Sequence, residues 1–350
     1  MITAFFKQYI LNFKTPSGTS RGILKTKHTW FIVLEANGVK GIGECGMFAG
    51  LSADDRPDYQ KKLQWTCDHI HLGLDDLLLE LIEFPSIQIG LEMAFKSLER
   101  NDSFNLYPSK FTLEESPISI NGLIWMGDKS FMKQQIKDKL NAGFSCIKMK
   151  IGAIDFASEM ELLKAIRQEF SASDVELRVD ANGAFSPSEA LEKLKRLSQF
   201  NLHSIEQPIR QGQWHEMAQL CEYTPLPIAL DEELIGVFSE EKKVELLSVI
   251  MPQYIILKPT LVGGFRGSKS WINHAEQQQI KWWVTSALES NIGLNAIAQW
   301  TYTLGNELPQ GLGTGALYDN NFDSPLVVKN GTLQYKKNRV WDLSHLNVTI

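Results

Sequence analysis

A chain of 350 residues and 39.6 kDa has room for a β/α barrel of roughly 200–250 residues beside a smaller companion domain. Hydrophobic residues make up 43% and charged residues 22%, enough to bury a large core and too apolar for extended disorder. The formal net charge of −6 is spread without a basic stripe, which argues against a nucleic-acid partner, and Cys45, Cys67, Cys146 and Cys221 are too scattered for a disulfide framework or a thiolate zinc site.

Residues 4–13 form a mostly apolar run interrupted by Lys7, unlike a signal peptide. No apolar run approaches the ~20 residues of a membrane span, so the expectation is a reduced, cytoplasmic protein without a membrane partner. Pro16–Gly22 has the composition of a mobile loop. Two strands then flank Asn37-Gly38, a strong hairpin signal because both turn positions favour positive φ. Helical patterns follow near 57–70 and 88–100, and the passage 104–116 leads into a different rhythm.

From about Pro117, short apolar runs alternate with amphipathic helices. The runs are ISINGLIW, SCIKMKIG, VELRVDANG, HSIEQPI, PIALDEEL, YIILKPT, KWWVTSAL and GLGTG. Their polar C-terminal ends recur every 25–28 positions from Asp180 to Gly313, the length of a strand, a helix and two loops. An open doubly wound sheet is the alternative, but no GxGxxG follows an early strand. The expected fold class is α/β, a (β/α)7β-type modified barrel with an α+β capping domain. The expected divisions are 1–116 for the cap, 117–325 for the barrel and 326–350 for a tail, with a hairpin at Asn330-Gly331, that returns to the cap.

In a parallel barrel, residues at the C-terminal strand ends meet at one mouth. Asp180, Glu206 and Asp231 each end an apolar run, where an unpaired charge is costly. Three hard oxygen donors on rigid elements suit Mg²⁺, and Mn²⁺ accepts the same ligands. Taken singly, each carboxylate could instead cap the following helix or pair with a lysine. Lys148 and Lys150 share one face of their strand, and Lys258 ends a run four strands later, across the barrel. Such interior lysines are candidate bases. Gly313, Thr314 and Gly315 lie in GLGTG, where closely spaced amides would suit an anionic group such as a substrate carboxylate; a tight turn closing the barrel is the competing reading. Trp282, Trp283 and His203 read as packing residues. The sequence does not give the oligomeric state.

KMK, VDANG, IEQP, LDEE and LKP, in this order and spacing, resemble the enolase superfamily, whose sites use a Lys or His base with Mg²⁺. The resemblance is to its muconate-lactonizing-enzyme-like subgroup, and GIGEC looks like part of that superfamily's capping domain. It implies Mg²⁺ on Asp180, Glu206 and Asp231, with Lys150 as the base beside the substrate carboxylate. Lys148 would keep Lys150 deprotonated, Lys258 would face the other side of the substrate, and Asn182 and Glu232 would orient the ligands. NGLIWMG (121–127), ALES (287–290) and GLGTG look most like the o-succinylbenzoate synthases, and they suggest Ser286 as a substrate contact along with Gly313, Thr314 and Gly315. Dipeptide epimerases share the metal and lysine motifs but usually carry an Asp-x-Asp pair at the eighth strand. Here Asp319 and Asp323 stand four apart, and the glutamate usual in muconate cycloisomerases is missing. A dipeptide epimerase or N-acylamino acid racemase is the alternative expectation, and a non-catalytic binding protein on the same barrel is a remote one.

Overall fold

The computed structural model describes residues 2–19, 22–125, 128–152 and 154–346. Ser20 and Arg21 of the expected loop, Met126 and Gly127 of the 121–127 segment, and 347–350 of the tail lie outside the described residues.

The N-terminal part is an antiparallel sheet in the order β1 (Thr3–Thr19), β2 (Gly22–Ala36), β3 (Val39–Cys45). Asn37 and Gly38 adopt φ of 54° and 78°, the twist a tight hairpin requires. Pro16–Thr19 do not form a loop. After a register shift beyond Asn12, Ser17 pairs with Leu24 and the ribbon continues, giving these backbone groups partners that a loop would lack. The run at Trp30–Leu34 is continuously apolar because both faces of the sheet are covered. Trp30, Ile32 and Leu34 pack on the helices α1 (Tyr59–Asp68), α2 (Leu74–Glu80) and α3 (Pro85–Arg100). Phe31 and Val33 point the other way, onto Ile292, Phe322 and Leu346. α3 lies so close to β3 that a Cβ on Gly43 would stand 1.8 Å from the Gly90 carbonyl oxygen.

A short helix α4 (Lys110–Leu113) and strand β4 (Ile118–Ser119) lead into alternating units. These are β5 (Gly122–Ile124), α5 (Lys129–Asn141), β6 (Cys146–Lys150), α6 (Phe156–Glu169), β7 (Glu176–Asp180), α7 (Pro187–Ser198) and β8 (Ser204–Glu206). They continue as α8 (Trp214–Tyr223), β9 (Ile228–Leu230), α9 (Glu240–Ile250), β10 (Tyr254–Leu257), α10 (Gly264–Gln277), β11 (Lys281–Val284) and α11 (Asn291–Thr303). β5 to β11 form one curled parallel sheet in sequence order. The last expected run, GLGTG, is not a strand. Single bridges from Thr285 to Gly311 and from Ile120 to Gln310 carry the chain across the gap between β11 and the start of the barrel. Clearance requires glycine there, since a Cβ on Gly311 would meet Thr285 Oγ1 at 2.3 Å.

The tail hairpin, β12 (Leu326–Lys329) and β13 (Thr332–Tyr335), turns at Asn330 and Gly331 with φ of 51° and 65°. β13 pairs with β4 at the entrance to the barrel. Further along the tail, Leu346 reaches the cap sheet and joins Phe31 and Ile42.

Glu92 on α3 ties the cap to α10, accepting from the amides of Phe265 (2.5 Å) and Arg266 (3.0 Å). Burial pushes its carboxyl up to about 7, outweighing those amides and the Arg266 charge. The folded pKa lies above the unfolded one, so this group's stabilising effect is complete below about pH 4.3 and is lost as pH rises through about 7. Glu92→Gln should therefore flatten the fall in unfolding free energy between pH 5 and 8 by on the order of 3 kcal/mol. Denaturant titrations with the same pH slope in both proteins would refute this.

Candidate active site

Parallel register brings the candidate residues together. Lys150 on β6 is the register partner of Asp180 on β7, and Asp180 is the partner of Glu206 on β8. Asp231 follows directly after β9 and Lys258 after β10, so five successive strands deliver charged side chains to one mouth. The helix-cap reading does not describe these carboxylates. α6, α9 and α11 are capped by the side chains of Asp155, Ser239 and Ser290, and α7 by a Ser186–Glu189 capping box. Asp231 precedes a single 3-10 turn to which its side chain gives no capping bond.

The lysines and carboxylates interlock. Lys148 Nζ lies 2.9 Å from Asp180 Oδ2 and also pairs with Glu206. Lys150 Nζ donates to Asp180 Oδ2 (3.0 Å) and to Asn182 Oδ1 (2.6 Å). Lys258 pairs with Asp231. Asn182, at a left-handed φ of 45°, donates from its side chain to Glu232 Oε1 (2.9 Å) and from its backbone to Asp180 Oδ1 (3.0 Å). That conformation suits Asn and lets one residue link a lysine and two carboxylates.

Electrostatics follow from burial. Burial alone would discharge Lys148, but Asp180, Glu206 and Asp231 outweigh it and hold the amine well above its ordinary value. Lys258 is raised in the same way, against burial, mainly by Asp231. Asp180 is held far below the carboxylate range because Lys148 and Lys150 overcome its desolvation. Glu206 goes the other way: burial and the charge of Asp180 push it well up.

Among the described residues, no group of three or more His, Cys, Asp or Glu side chains stands in an arrangement that encloses a metal ion. Lysine amines lie between the carboxylates. The donor set still fits Mg²⁺. It is made of hard oxygens, and Glu206 Oε1 is buried without a hydrogen-bond partner, as an atom awaiting a cation would be.

Lys148, Lys150, Asp180, Asn182 and Lys258 line a cavity of about 1020 Å³, including space open to solvent. Ser286, Gly313 and Thr314 line its far wall, and Phe48 and Leu51 of the cap and Trp125 of the barrel add apolar surface. Gly315 is not on that wall; a Cβ there would meet Asn291 Oδ1 at 2.6 Å. None of the GLGTG glycines takes a left-handed φ, so the segment does not curl into a left-right amide nest.

Several contributors escaped the sequence reading. Gln207, at φ 40°, accepts from the amides of Asp231 and Glu233 and donates to Glu233, locking the end of β8 to the end of β9. Its place in IEQP, directly after a strand-end carboxylate, was the available signal. Arg178 lies one layer below Asp180, over Trp283 (4.3 Å) and bonded to Glu176 and the Pro309 carbonyl, plugging the barrel under the lysines.

Residues 132–338 match the model of the family described as enolase C-terminal domain-like. An o-succinylbenzoate synthase of Desulfotalea psychrophila is 46% identical over 94% of this chain and 97% of its own. The chain belongs to the enolase superfamily, in its muconate-lactonizing-enzyme-like branch. The crystal structure of MenC from Desulfotalea psychrophila superposes with a TM-score of 0.84 at 43% identity, covering 95% of this chain and 99% of that one. A muconate lactonizing enzyme from Pseudomonas fluorescens has a TM-score of 0.80 at 20% identity, over 99% and 97% of the two chains, a likeness of fold alone. Enzymes of this superfamily generally use Mg²⁺. No helix among the described residues is long and apolar enough to cross a membrane.

Proposed function

We propose that the chain is an o-succinylbenzoate synthase, a dehydratase that converts 2-succinyl-6-hydroxy-2,4-cyclohexadiene-1-carboxylate to o-succinylbenzoate for menaquinone biosynthesis. The observation that carries this reading is the near full-length likeness to such an enzyme in Desulfotalea psychrophila. The lysine-and-carboxylate mouth supplies the chemistry. Asp180, Glu206 and Asp231 would hold Mg²⁺, with Mn²⁺ able to replace it. When bound, the metal supplies Lewis-acid stabilisation of negative charge on the substrate carboxylate.

Lys150 is the base in this reading. Its amine is held by Asp180 and Asn182 on the wall of the cavity, where a C–H next to a bound carboxylate would lie. It takes that proton, and the C–H electron pair becomes the charge of the enediolate. The pair then forms the new ring double bond as the C–O bond breaks. Lys150 returns its proton to the departing hydroxyl on the same face, and water leaves. Lys148 stands beside Lys150 as a fixed positive charge, held charged by Asp180, Glu206 and Asp231. Lys258 meets the opposite face of the ring as a cation, worth about 2 kcal/mol when desolvated. Asn182 and Glu232 hold Lys150 and the ligands in register. Ser286, Gly313 and Thr314 serve the succinyl end, and Gly315, which lies off the cavity wall, does not.

We assign residues 1–116 to the cap, 117–325 to the barrel and 326–350 to the tail, and a cytoplasmic location. The test is kcat/KM for the cyclohexadiene carboxylate and for dipeptides such as L-Ala-L-Glu with one purified protein. Dehydration should be preferred strongly. A tenfold preference for epimerising a dipeptide, about 1.4 kcal/mol of transition-state binding, would overturn the assignment.

A further inference from the structure

A buried polar cluster outside the lysine mouth lies on the seam between cap and barrel. Lys27 of β2 is buried there, and its amine has no hydrogen-bond partner among the described residues. Glu44 of β3 accepts from Thr29 Oγ1 (2.9 Å), from the Ser290 amide (3.0 Å) and hydroxyl (2.5 Å), and from the Gly293 amide (3.0 Å). Glu289, in the loop between β11 and α11, accepts from Thr260 Oγ1 (2.5 Å), the Ala287 amide (3.1 Å) and Ser286 Oγ (2.6 Å). Glycine leaves the room for this. A Cβ on Gly46 would stand 3.3 Å from Lys27 Nζ and 3.4 Å from both Glu289 Cγ and Thr260 Cγ2. One on Gly293 would meet Glu44 Oε2 at 2.8 Å and Glu289 Cβ at 2.9 Å.

The cluster ends at the cavity wall. Ser286 Oγ gives its proton to Glu289, so its lone pairs accept from Thr314 Oγ1 (2.9 Å) and the Leu288 amide (2.9 Å). Leu288 has a φ of 61°, a left-handed conformation costing about 1–3 kcal/mol for a non-glycine residue. Tyr318 pins its carbonyl from the other side at 2.7 Å. Ser286, Leu288 and Thr314 all line the cavity.

We propose that Lys27 is a positioning residue: its charge balances Glu44 and Glu289 across the seam, and through Glu289 it holds the Ser286–Leu288 wall in the form that receives substrate. Two buried carboxylates without that cation would carry a large desolvation and repulsion cost. The cap thus helps build a barrel wall that it does not itself line. Burial drives the Lys27 amine down, and the charges of Glu44 and Glu289 offset part of that fall. The other titratable groups facing the cluster are Tyr318 and Cys45, and burial pushes both well up, so they stay neutral.

The test replaces Lys27 with a neutral residue of similar length. In Lys27→Met the two buried carboxylates face each other without a cation, so the folded form favours keeping a proton in the cluster and stability falls as pH rises. KM for the cyclohexadiene carboxylate should rise at least tenfold at pH 8.5, with kcat within threefold, and should recover toward pH 6. Lys27→Met/Glu289→Gln, which restores the net charge, should bring KM at pH 8.5 back to within threefold of the parent. A packing role predicts the opposite, with the double variant worse than the single one. A pH-independent KM in Lys27→Met, or no rescue by the second change, would overturn the proposal. If Lys27→Met does not fold, the double variant alone decides by the same threefold criterion.

The KM readout rests on the o-succinylbenzoate synthase reading, and a second readout does not. The melting temperature of Lys27→Met should fall more steeply than the parent's from pH 6 to 9, and Glu289→Gln should cancel the difference. An inactive parent would remove the functional reading. Parallel melting curves would remove this one.

Discussion

Lys150→Ala should lose on the order of 10²–10⁴ in kcat, the range spanned by general acid–base catalysis, and should stop deuterium exchange next to the substrate carboxylate. Two properties single out this lysine. Its amine meets both Asp180 and Asn182 at the cavity wall, whereas Lys148 sits deeper, between Asp180 and Glu206. The deeper amine is held charged by three carboxylates, so it is a poor proton acceptor and a good fixed cation. Lys148→Ala should therefore act through the charge of its neighbours: it removes a cation that competes with Mg²⁺ for Asp180 and Glu206, so metal binding should hold or tighten while turnover falls. Lys150→Ala should leave Mg²⁺ affinity within a few-fold of the parent. Near-native exchange in Lys150→Ala would mean the base has been misassigned.

The clustering of the candidate site was legible because its charged residues stand at strand ends. Asp180, Glu206, Asp231, Lys148, Lys150 and Lys258 each close a short apolar run, and the 25–28 residue repeat places those ends at one mouth. The two Asn-Gly hairpins were legible for a local reason, since few other dipeptides accept positive φ at both turn positions. Other features depend on distant partners. The ribbon through Pro16–Thr19 looked like a loop because composition cannot show that Ser17 has Leu24 opposite it. GLGTG looked like a strand by spacing, yet its path is set by clearance from Thr285 and Asn291. Glu44 and Glu289 lie 245 positions apart in the chain, in motifs that suggest a family and no contact; Glu44 meets Ser290 and Gly293 only once the cap is seated. Gln207 stood inside a recognised motif, but its bonds to β9 are visible only when β8 and β9 are paired.

Removing the metal should abolish activity, and Glu206→Gln should separate that loss from any loss of folding. In the metal-free protein Glu206 is a liability: it is buried, one oxygen has no hydrogen-bond partner, and burial together with the charge of Asp180 disfavours its ionised form. A neutral glutamine of the same shape keeps an oxygen to accept from Lys148 and gives up the unfavourable charge. Metal-free Glu206→Gln should thus melt at or above the temperature of the metal-free parent. Mg²⁺ should reverse the order. A ligand that binds only the folded state stabilises it by about 2.7 kcal/mol at a hundredfold excess over Kd, and this gain should appear in the parent and shrink or vanish in the variant. Turnover should follow the same pattern, abolished by chelator and restored by Mg²⁺ in the parent, and absent throughout in Glu206→Gln. The melting curves carry the decision because they do not depend on the substrate being correctly named. If Mg²⁺ raises the melting temperature of Glu206→Gln as much as that of the parent, the ion binds elsewhere, and Asp180, Glu206 and Asp231 are only partners for the lysines.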